Sequence, residues 1–105
     1  MPADRLDTLR EMLADDPADA FTRYALAMEL KGRQRRVEAI AELDTLLREQ
    51  PDYVAAYYQA AGLLHAEGRT DEAVSVVRRG LEAAERAGED HARSELAELL
   101  DELEA

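Results

Sequence analysis

The chain has 105 residues, which is enough for one domain with a single hydrophobic core. Its 24 acidic residues outnumber its 13 basic residues, and the formal net charge of −11 disfavours binding to nucleic acid or to an anionic membrane surface. The chain contains no Cys, which excludes a disulfide, a thiolate nucleophile and a Cys-based zinc site.

The N-terminal sequence does not have the pattern of a signal peptide. Acidic residues such as Asp4 stand where a signal peptide needs an apolar core, and no stretch approaches about 18 continuous apolar residues. Together with the lack of Cys, this predicts a cytoplasmic protein. Every basic residue except Lys31 is Arg, and an acidic, Arg-rich surface leaves two origins open, a salt-rich cytoplasm and a GC-rich genome.

Apolar residues recur at steps of three and four along the chain, which is the period of amphipathic α-helices. No strand-like alternation of apolar and polar residues interrupts this pattern. Breaks divide it at Pro17, Gly32, Pro51, Gly68 and Gly88. The sequence therefore predicts six helices, over residues 3–14, 18–31, 35–49, 53–67, 71–87 and 91–104.

Several residues repeat at a nearly constant distance along the chain. Pro17 and Pro51 are 34 residues apart, as are Ala39 and Ala73, whereas Gly32 and Gly68, and Phe21 and Tyr57, are 36 residues apart. A period near 34 residues with two helices per unit resembles that of the tetratricopeptide repeat (TPR) family.

The resemblance rests on residues at the aromatic, small and closing positions of the family's repeat, and it covers residues 5–87. In the first unit these residues are Phe21, Tyr24, Ala25, Met28, Ala39, Leu43 and Pro51, and in the second they are Tyr57, Ala60, Ala61, Leu64, Gly68, Ala73 and Val77. Leu9 and Pro17 resemble the closing half of an earlier unit. The sequence departs from the family pattern at Ala60 and Ala61, which replace a Leu-Gly pair, and at Glu85, which replaces Pro.

The resemblance implies an all-α fold in which antiparallel helix hairpins stack as a short right-handed superhelix. Residues 1–105 would form one domain, with an N-terminal helix (3–14), a first repeat (18–51), a second repeat (53–87) and a C-terminal capping helix (91–104). The interval from Gly32 to Ala39 is two residues longer than that from Gly68 to Ala73. This difference predicts a longer and more mobile first hairpin turn.

Small residues are expected where paired helices approach closely, and large residues where one pair meets the next. The expected small pairs are Ala25 with Ala39 and Ala61 with Ala73, and the expected large residues are Phe21 and Tyr57. Fully burying such a large side chain contributes about 1.5–3 kcal/mol.

The last predicted helix carries apolar residues on one side and acidic residues on the other. The apolar residues are Leu96, Leu99, Leu100 and Leu103, and the acidic ones are Glu95, Glu98 and Glu102. Helices that lie on membranes favour Lys and Arg on their polar face, so this helix is predicted to seal the open end of the stack. Whether it also covers a binding groove stays open.

The residues give no indication of an enzyme, a cofactor or a metal site. His65 and His91 are the only histidines, and neither has a second metal ligand at the required spacing. Ser75 and Ser94 lie within predicted helices without the sequence context of a nucleophile. The sequence therefore predicts no catalytic residue, no cofactor and no metal ligand.

Two groups of basic residues lie close together in the sequence. They are Lys31, Arg33, Arg35 and Arg36 near the first hairpin turn, and Arg78 with Arg79 on a later helix. Neither group has the interleaved aromatic residues typical of nucleic-acid binding. Solvated hairpin ends or salt bridges with nearby acids are the favoured interpretation, and an acidic peptide partner is the alternative.

The candidate binding residues are those left over once the packing face of each first helix has been assigned. On the second predicted helix they are Thr22, Leu26, Glu29 and Leu30, and on the fourth they are Tyr58, Gly62 and His65. In the TPR family the first helix of each pair lines a concave groove that holds a peptide or a helix. The resemblance therefore implies a groove at these residues, with a shallow pocket where Tyr58 lies over Gly62. They lack the Lys, Arg and Asn residues with which chaperone-tail binders of the family hold a carboxylate, so chaperone-tail binding is not expected.

The sequence thus predicts a non-enzymatic interaction module that binds an amphipathic helix or an extended peptide of a cytosolic protein partner. The alternative is a structural protein that pairs with a second copy of itself, as a homodimer, through these residues or an end of the stack. Neither nucleic acid nor a membrane is an expected partner.

The small-residue position at Ala61 gives the first test. The substitution Ala61→Leu should overpack the second hairpin and lower its free energy of unfolding by about 1–3 kcal/mol. Thermal unfolding followed by circular dichroism measures this change. An unchanged melting midpoint would contradict the assignment of Ala61 to a close helix contact.

Overall fold

The computed structural model describes residues 4–105, and within this range the chain forms six α-helices and no β-strand. They are α1 (Arg5–Asp15), α2 (Ala20–Gly32), α3 (Arg36–Glu49), α4 (Val54–Ala66), α5 (Thr70–Ala87) and α6 (Asp90–Glu104). Consecutive helices pack against each other, and α4 also packs against α6. This confirms the predicted all-α fold of stacked helix hairpins. The predicted start of the first helix at residue 3 lies outside the described residues.

The helix ends lie at the predicted breaks because the residues there satisfy the free groups of the helix ends. Gly88 ends α5 in the left-handed conformation, with a φ angle of 68°. At the start of α2, the Asp19 carboxylate accepts hydrogen bonds from the hydroxyl and the amide N–H of Thr22, at 2.7 and 3.3 Å. The bond from the hydroxyl lowers the pKa of Asp19 most, and the bond from the amide lowers it further. The capping carboxylate is therefore ionised at neutral pH.

The two hairpin turns have the same length, so the predicted two-residue insertion is wrong. Gln34 in the first turn and Gly68 in the second are 34 residues apart, and both have positive φ angles, 63° and 77°. A backbone hydrogen bond from the residue after each of them closes the turn, at 2.9 and 2.8 Å. The prediction paired Gly68 with Gly32 because Gly adopts positive φ most readily, but in the first turn Gln34 takes that conformation.

The first repeat keeps the 34-residue register throughout, which moves its small residue from Ala25 to Ala27. Ala27 lies 34 residues before Ala61, and both are fully buried, as are Ala39 and Ala73. Ala25 is only partly buried. The predicted close contact of Ala25 with Ala39 is therefore wrong, because the small residue that this register places opposite Ala39 is Ala27.

Tyr57 is buried and lies against Gly80 of α5, whereas Phe21 is 73% exposed. The residue 34 positions before Tyr57 is Arg23. Each of the two side chains donates a hydrogen bond to the carbonyl oxygen of the preceding Pro, Tyr57 to Pro51 at 2.5 Å and Arg23 to Pro17 at 3.2 Å. Arg23 therefore occupies the position predicted for Phe21, and the Phe21 ring is left at the surface.

The last helix closes one end of the stack with its apolar side. Leu96 and Leu103 are buried, and Leu99 and Leu100 are partly buried against the core. α6 packs against α5 and α4 in this way, as its amphipathic pattern predicts.

Gly80 on α5 lies at the closest approach between the second repeat and the last helix. A Cβ atom added to Gly80 would lie 2.6 Å from the Cβ atom of Tyr57 and 3.2 Å from a methyl group of Leu96. Carbon atoms in contact prefer a separation of about 3.5–4.0 Å. Only Gly therefore allows α4, α5 and α6 to meet at this point without a shift.

Two Gly→Ala substitutions within helices test this contact. Gly62 on α4 has no atom within 4 Å of an added Cβ, so Gly62→Ala should raise the free energy of unfolding by about 0.5–1 kcal/mol through helix propensity. Gly80→Ala has the same propensity gain, but we expect overpacking that costs about 1–3 kcal/mol to exceed it. Urea unfolding of both variants separates the two effects. Equal stabilisation by the two substitutions would contradict the close approach at Gly80.

Candidate functional site

The four predicted binding residues on α2 do not form a free surface. Thr22, Leu26 and Leu30 are buried, with 2–3% of their surface exposed. Glu29 is partly buried and forms ion pairs with Arg5 of α1 and with Arg33, both at 3.0 Å. The expectation that Leu26 and Leu30 are spare is therefore wrong. The physical reason is that α2 lies between α1 and α3, so it needs two packing faces.

The three predicted residues on α4 are exposed. Tyr58 is 42% exposed, and it lines a depression of about 310 Å³ together with Gly62. This depression is the shallow pocket expected over Gly62. His65 lies at the end of α4, where its Nδ1 atom is 3.0 Å from the hydroxyl oxygen of Thr70 at the start of α5.

The candidate binding residues on the remaining side of α2 are instead Phe21, Tyr24 and Met28, which recur at helical spacing. In the strict 34-residue register their counterparts on α4 are Ala55, Tyr58 and Gly62. Sequence reasoning missed these α2 residues because it matched Phe21 with Tyr57, 36 residues later. The signal that could have found them is the 34-residue distance from Tyr24 to Tyr58, which equals the distance from Pro17 to Pro51.

We call this surface the α2–α4–α6 face. It is formed by Phe21, Tyr24 and Met28 of α2, Ala55, Tyr58, Gln59 and Gly62 of α4, and Glu89, Ala92 and Glu95 at and within the start of α6. A depression of about 260 Å³ on this face brings residues of all three helices together. Helix α6 thus forms one wall of this depression.

The two depressions of the α2–α4–α6 face have opposite charges. Glu89 and Glu95 line the depression beside α6, which no basic residue lines. Lys31 and Arg36 line the depression beside the first hairpin turn, which no acidic residue lines. Tyr58 and Gln59 lie between the two, because they line both. The face therefore has an acidic end, an aromatic middle and a basic end.

The charged side chains of the two ends differ in their partners. The Lys31 ammonium donates a hydrogen bond to the neutral side-chain oxygen of Gln59 at 2.8 Å, so its charge is not compensated there. Arg36 forms an ion pair with Glu67 at 2.6 Å. At the acidic end, Glu95 lies 3.3 Å from the Nε2 atom of His91.

Two tyrosine rings hold the aromatic middle of the face in place. The rings of Tyr24 and Tyr53 lie 5.4 Å apart between centroids, at an angle of 37°. Burial raises the pKa of both hydroxyl groups, and for Tyr24 the neighbouring Tyr53 adds to this effect. Both rings are therefore neutral at any physiological pH and present a fixed apolar surface with a hydroxyl donor.

The basic groups noted in the sequence are mostly engaged in ion pairs, as the favoured interpretation predicts. Arg33 pairs with Asp4 and Glu29, and Arg35 pairs with Glu38 at 2.7 Å. On the later helix, Arg78 pairs with Glu104 of α6 at 2.8 Å. The Arg79 guanidinium lies over the ring of Tyr57, 5.8 Å from its centroid.

In the part of the chain that the structure describes, no three His, Cys, Asp or Glu residues are arranged to hold a metal ion. None of the helices between residues 4 and 105 is both long enough and apolar enough to cross a membrane.

Comparison with known proteins identifies the family. Residues 30–100 match the tetratricopeptide repeat family. A tetratricopeptide repeat domain protein from Salinibacter ruber, solved by NMR in solution, is 37% identical to the chain, with 85% of this chain and 90% of that chain covered and a TM-score of 0.80. Among curated proteins, none matches the chain.

Two further solved structures share the fold. A protein from Bordetella parapertussis is 25% identical, with 98% of this chain and 89% of that chain covered and a TM-score of 0.81. The TPR2B domain of yeast Sti1, in a complex with pHsp70, is 20% identical, with 94% and 79% covered and a TM-score of 0.87. At this identity the Sti1 domain shows the fold alone.

TPR domain proteins are generally non-enzymatic modules for protein–protein interaction. The helical stack is accordingly a TPR superhelix in which α2 and α4 are first helices of repeats and α3 and α5 are second helices. The chain belongs to the tetratricopeptide repeat family and is an interaction module of that family.

Proposed function

We propose that the α2–α4–α6 face binds an amphipathic helix or an extended peptide of a cytosolic protein partner. The observation that carries this proposal is the exposure of two aromatic side chains on neighbouring first helices, Phe21 at 73% and Tyr58 at 42%. An exposed large apolar surface of this kind is typical of interaction sites. Aromatic residues are also enriched among those that dominate binding energy.

The position of these rings supports a ligand that crosses the first helices. Tyr24 of α2 and Tyr58 of α4 line the same depression, so one bound segment can contact side chains of both helices. Met28 extends the apolar surface along α2, and its flexible thioether adapts to different apolar partners. The partly buried Tyr24 lies on the same side of α2 as Phe21 and lines the acidic depression together with Tyr58.

The charges of the face support a particular ligand composition. A segment with a basic residue near Glu89 and Glu95, apolar residues over Tyr58, and an acidic residue near Lys31 matches the two ends of the face. Since exposed charge pairs contribute little energy, we assign orientation to these charges and affinity to the aromatic residues.

The Sti1 domain supports the proposal at the level of the fold, because a TPR stack of similar shape is seen there in a complex with pHsp70. The ligand proposed for the present chain differs in chemistry from a chaperone tail. Tyr24, Met28, Tyr58 and Gly62 occupy its first-helix face, and none of them has the positive charge or the side-chain amide of Lys, Arg or Asn. We therefore propose an apolar peptide with charges of both signs.

The test uses peptides selected from a displayed random library with the wild-type chain. Tyr58→Ala and Phe21→Ala should each weaken binding of the selected peptides at least about tenfold, because truncation of a central aromatic residue removes an anchor of the interface. Met12→Ala on α1 is the matched control, since Met12 is 50% exposed and α1 is not part of this face. Isothermal titration calorimetry measures the affinities, and circular dichroism checks that each variant folds.

Peptides that keep their affinity on both Tyr58→Ala and Phe21→Ala, or that lose it equally on Met12→Ala, would contradict the proposal. Light scattering of the same proteins tests the alternative of self-association. A concentration-dependent dimer that Tyr58→Ala abolishes would assign the α2–α4–α6 face to a second copy of the chain.

A further inference from the structure

A second and larger cleft lies between the second helices α3 and α5, with Ala60 and Leu64 of α4 at its floor. Its volume is about 500 Å³, compared with about 260 and 310 Å³ for the depressions of the α2–α4–α6 face. A smaller cleft of about 270 Å³ lies between α1 and α3. Every residue that lines the smaller cleft has its counterpart, 34 residues later, in the lining of the larger one. The two clefts are therefore equivalent sites of consecutive repeats. Their side chains can be compared position by position.

In the smaller cleft, a guanidinium group bridges the two second helices. Arg10 of α1 lies 3.4 Å from the carboxylate of Glu38 on α3. Arg35 also binds this carboxylate, with distances of 3.1 and 2.7 Å. Glu38 thus holds two arginine side chains, one from its own helix start and one from the neighbouring helix.

In the larger cleft, the corresponding carboxylate holds only one arginine side chain. Glu72 is the counterpart of Glu38, and it binds Arg69, the counterpart of Arg35, at 2.5 and 2.9 Å. The counterpart of Arg10 is Asp44, which has the opposite charge and pairs with Arg48 of its own helix at 3.3 Å. The position of the second guanidinium is thus without a cation, and two carboxylates line the cleft.

The floor and one wall of the larger cleft also differ from those of its counterpart. Ala60 replaces Leu26 at the floor, and Val76 replaces Glu42 on the wall. Val37 is 63% exposed and lines the same cleft. Arg69 and Arg79 are the two cations in the lining. Arg79 has no acidic partner among the residues that the structure describes, and its guanidinium lies over the ring of Tyr57. It is seven residues, or about 10 Å along the helix, from Glu72.

We infer that the α3–α5 cleft binds an arginine side chain presented by an apolar segment of a protein partner. The guanidinium takes the position beside Glu72 that Arg10 has beside Glu38, and Asp44 adds a second carboxylate. The aliphatic stem and the neighbouring apolar residues of the segment cover Val76 and Val37. Arginine fits better than lysine because a planar guanidinium can share a carboxylate that already holds another one, as Glu38 does. This site does not depend on the α2–α4–α6 face.

The experiment uses n-pentylguanidinium, an alkyl chain that ends in a guanidinium group, as the probe at constant ionic strength. Ile40 is the only isoleucine of the chain and lines the cleft, so its methyl NMR signal is a single local reporter. Val54 lines the acidic depression of the other face and serves as the reporter for unspecific binding. We expect a saturable shift of the Ile40 signal at millimolar probe, with the Val54 signals unchanged.

Two variants with the same change of charge separate the cleft from the general acidity of the chain. Asp44→Arg restores the arginine found in the smaller cleft, and it should abolish the Ile40 shift while keeping or raising the melting midpoint. Glu98→Arg makes the same charge change at an exposed position of α6 and should leave the shift intact. If Asp44→Arg does not fold, Glu72→Gln removes the carboxylate and should have the same effect.

A neutral probe of the same length, n-pentylurea, should bind about fivefold more weakly, which corresponds to the loss of one exposed ion pair. The inference is overturned if the Ile40 signal does not shift, if the Val54 signals shift equally, or if both arginine variants lose the shift to the same extent.

Discussion

Each inner helix of this stack packs against at least two neighbours, and this constraint decides which of its residues a partner can reach. Helix α2 uses one face for Leu6, Leu9 and Leu13 of α1 and another for the buried residues of α3. Only a third, narrow face is left for solvent, and on α2 it carries Phe21. The surface that we propose for binding is therefore the part of each first helix that packing against its neighbours leaves exposed. Packing takes precedence because burying apolar surface in the core stabilises the fold more than a contact at the surface does.

The 34-residue repeat fixes the geometry of the stack but leaves the chemistry of each position free. At the junction before each repeat, Arg23 and Tyr57 both bind the carbonyl of a Pro. The positive charge of Arg23 is compensated by the Glu42 carboxylate at 2.7 Å. Val76 takes the position of Glu42 in the next repeat, beside the uncharged Tyr57. Such paired changes show that each junction is internally consistent, since a partly buried charge requires its partner.

First and second helices alternate along the chain, and each kind forms a surface with its own chemistry. The first helices present aromatic residues between an acidic and a basic end, and we propose a peptide of mixed charge for that face. The second helices enclose a cleft whose repeat counterpart is bridged by Arg10. The two proposed sites lie on separate faces of the stack, and the helices between these faces form their common core.

The sequence by itself determined the all-α class, the helix breaks, the TPR resemblance and the exposure of Tyr58, because these follow from local periodicity, from Gly and Pro, and from spacing. It could not decide whether Gly32 or Gln34 turns the first hairpin, since both can adopt a positive φ angle. A two-residue error there rotates α2 by more than half a turn, which exchanges Leu26 and Leu30 for Phe21 as the exposed apolar residue of α2. Only the tertiary structure settled this, because the burial of α2 depends on helices on both sides of it.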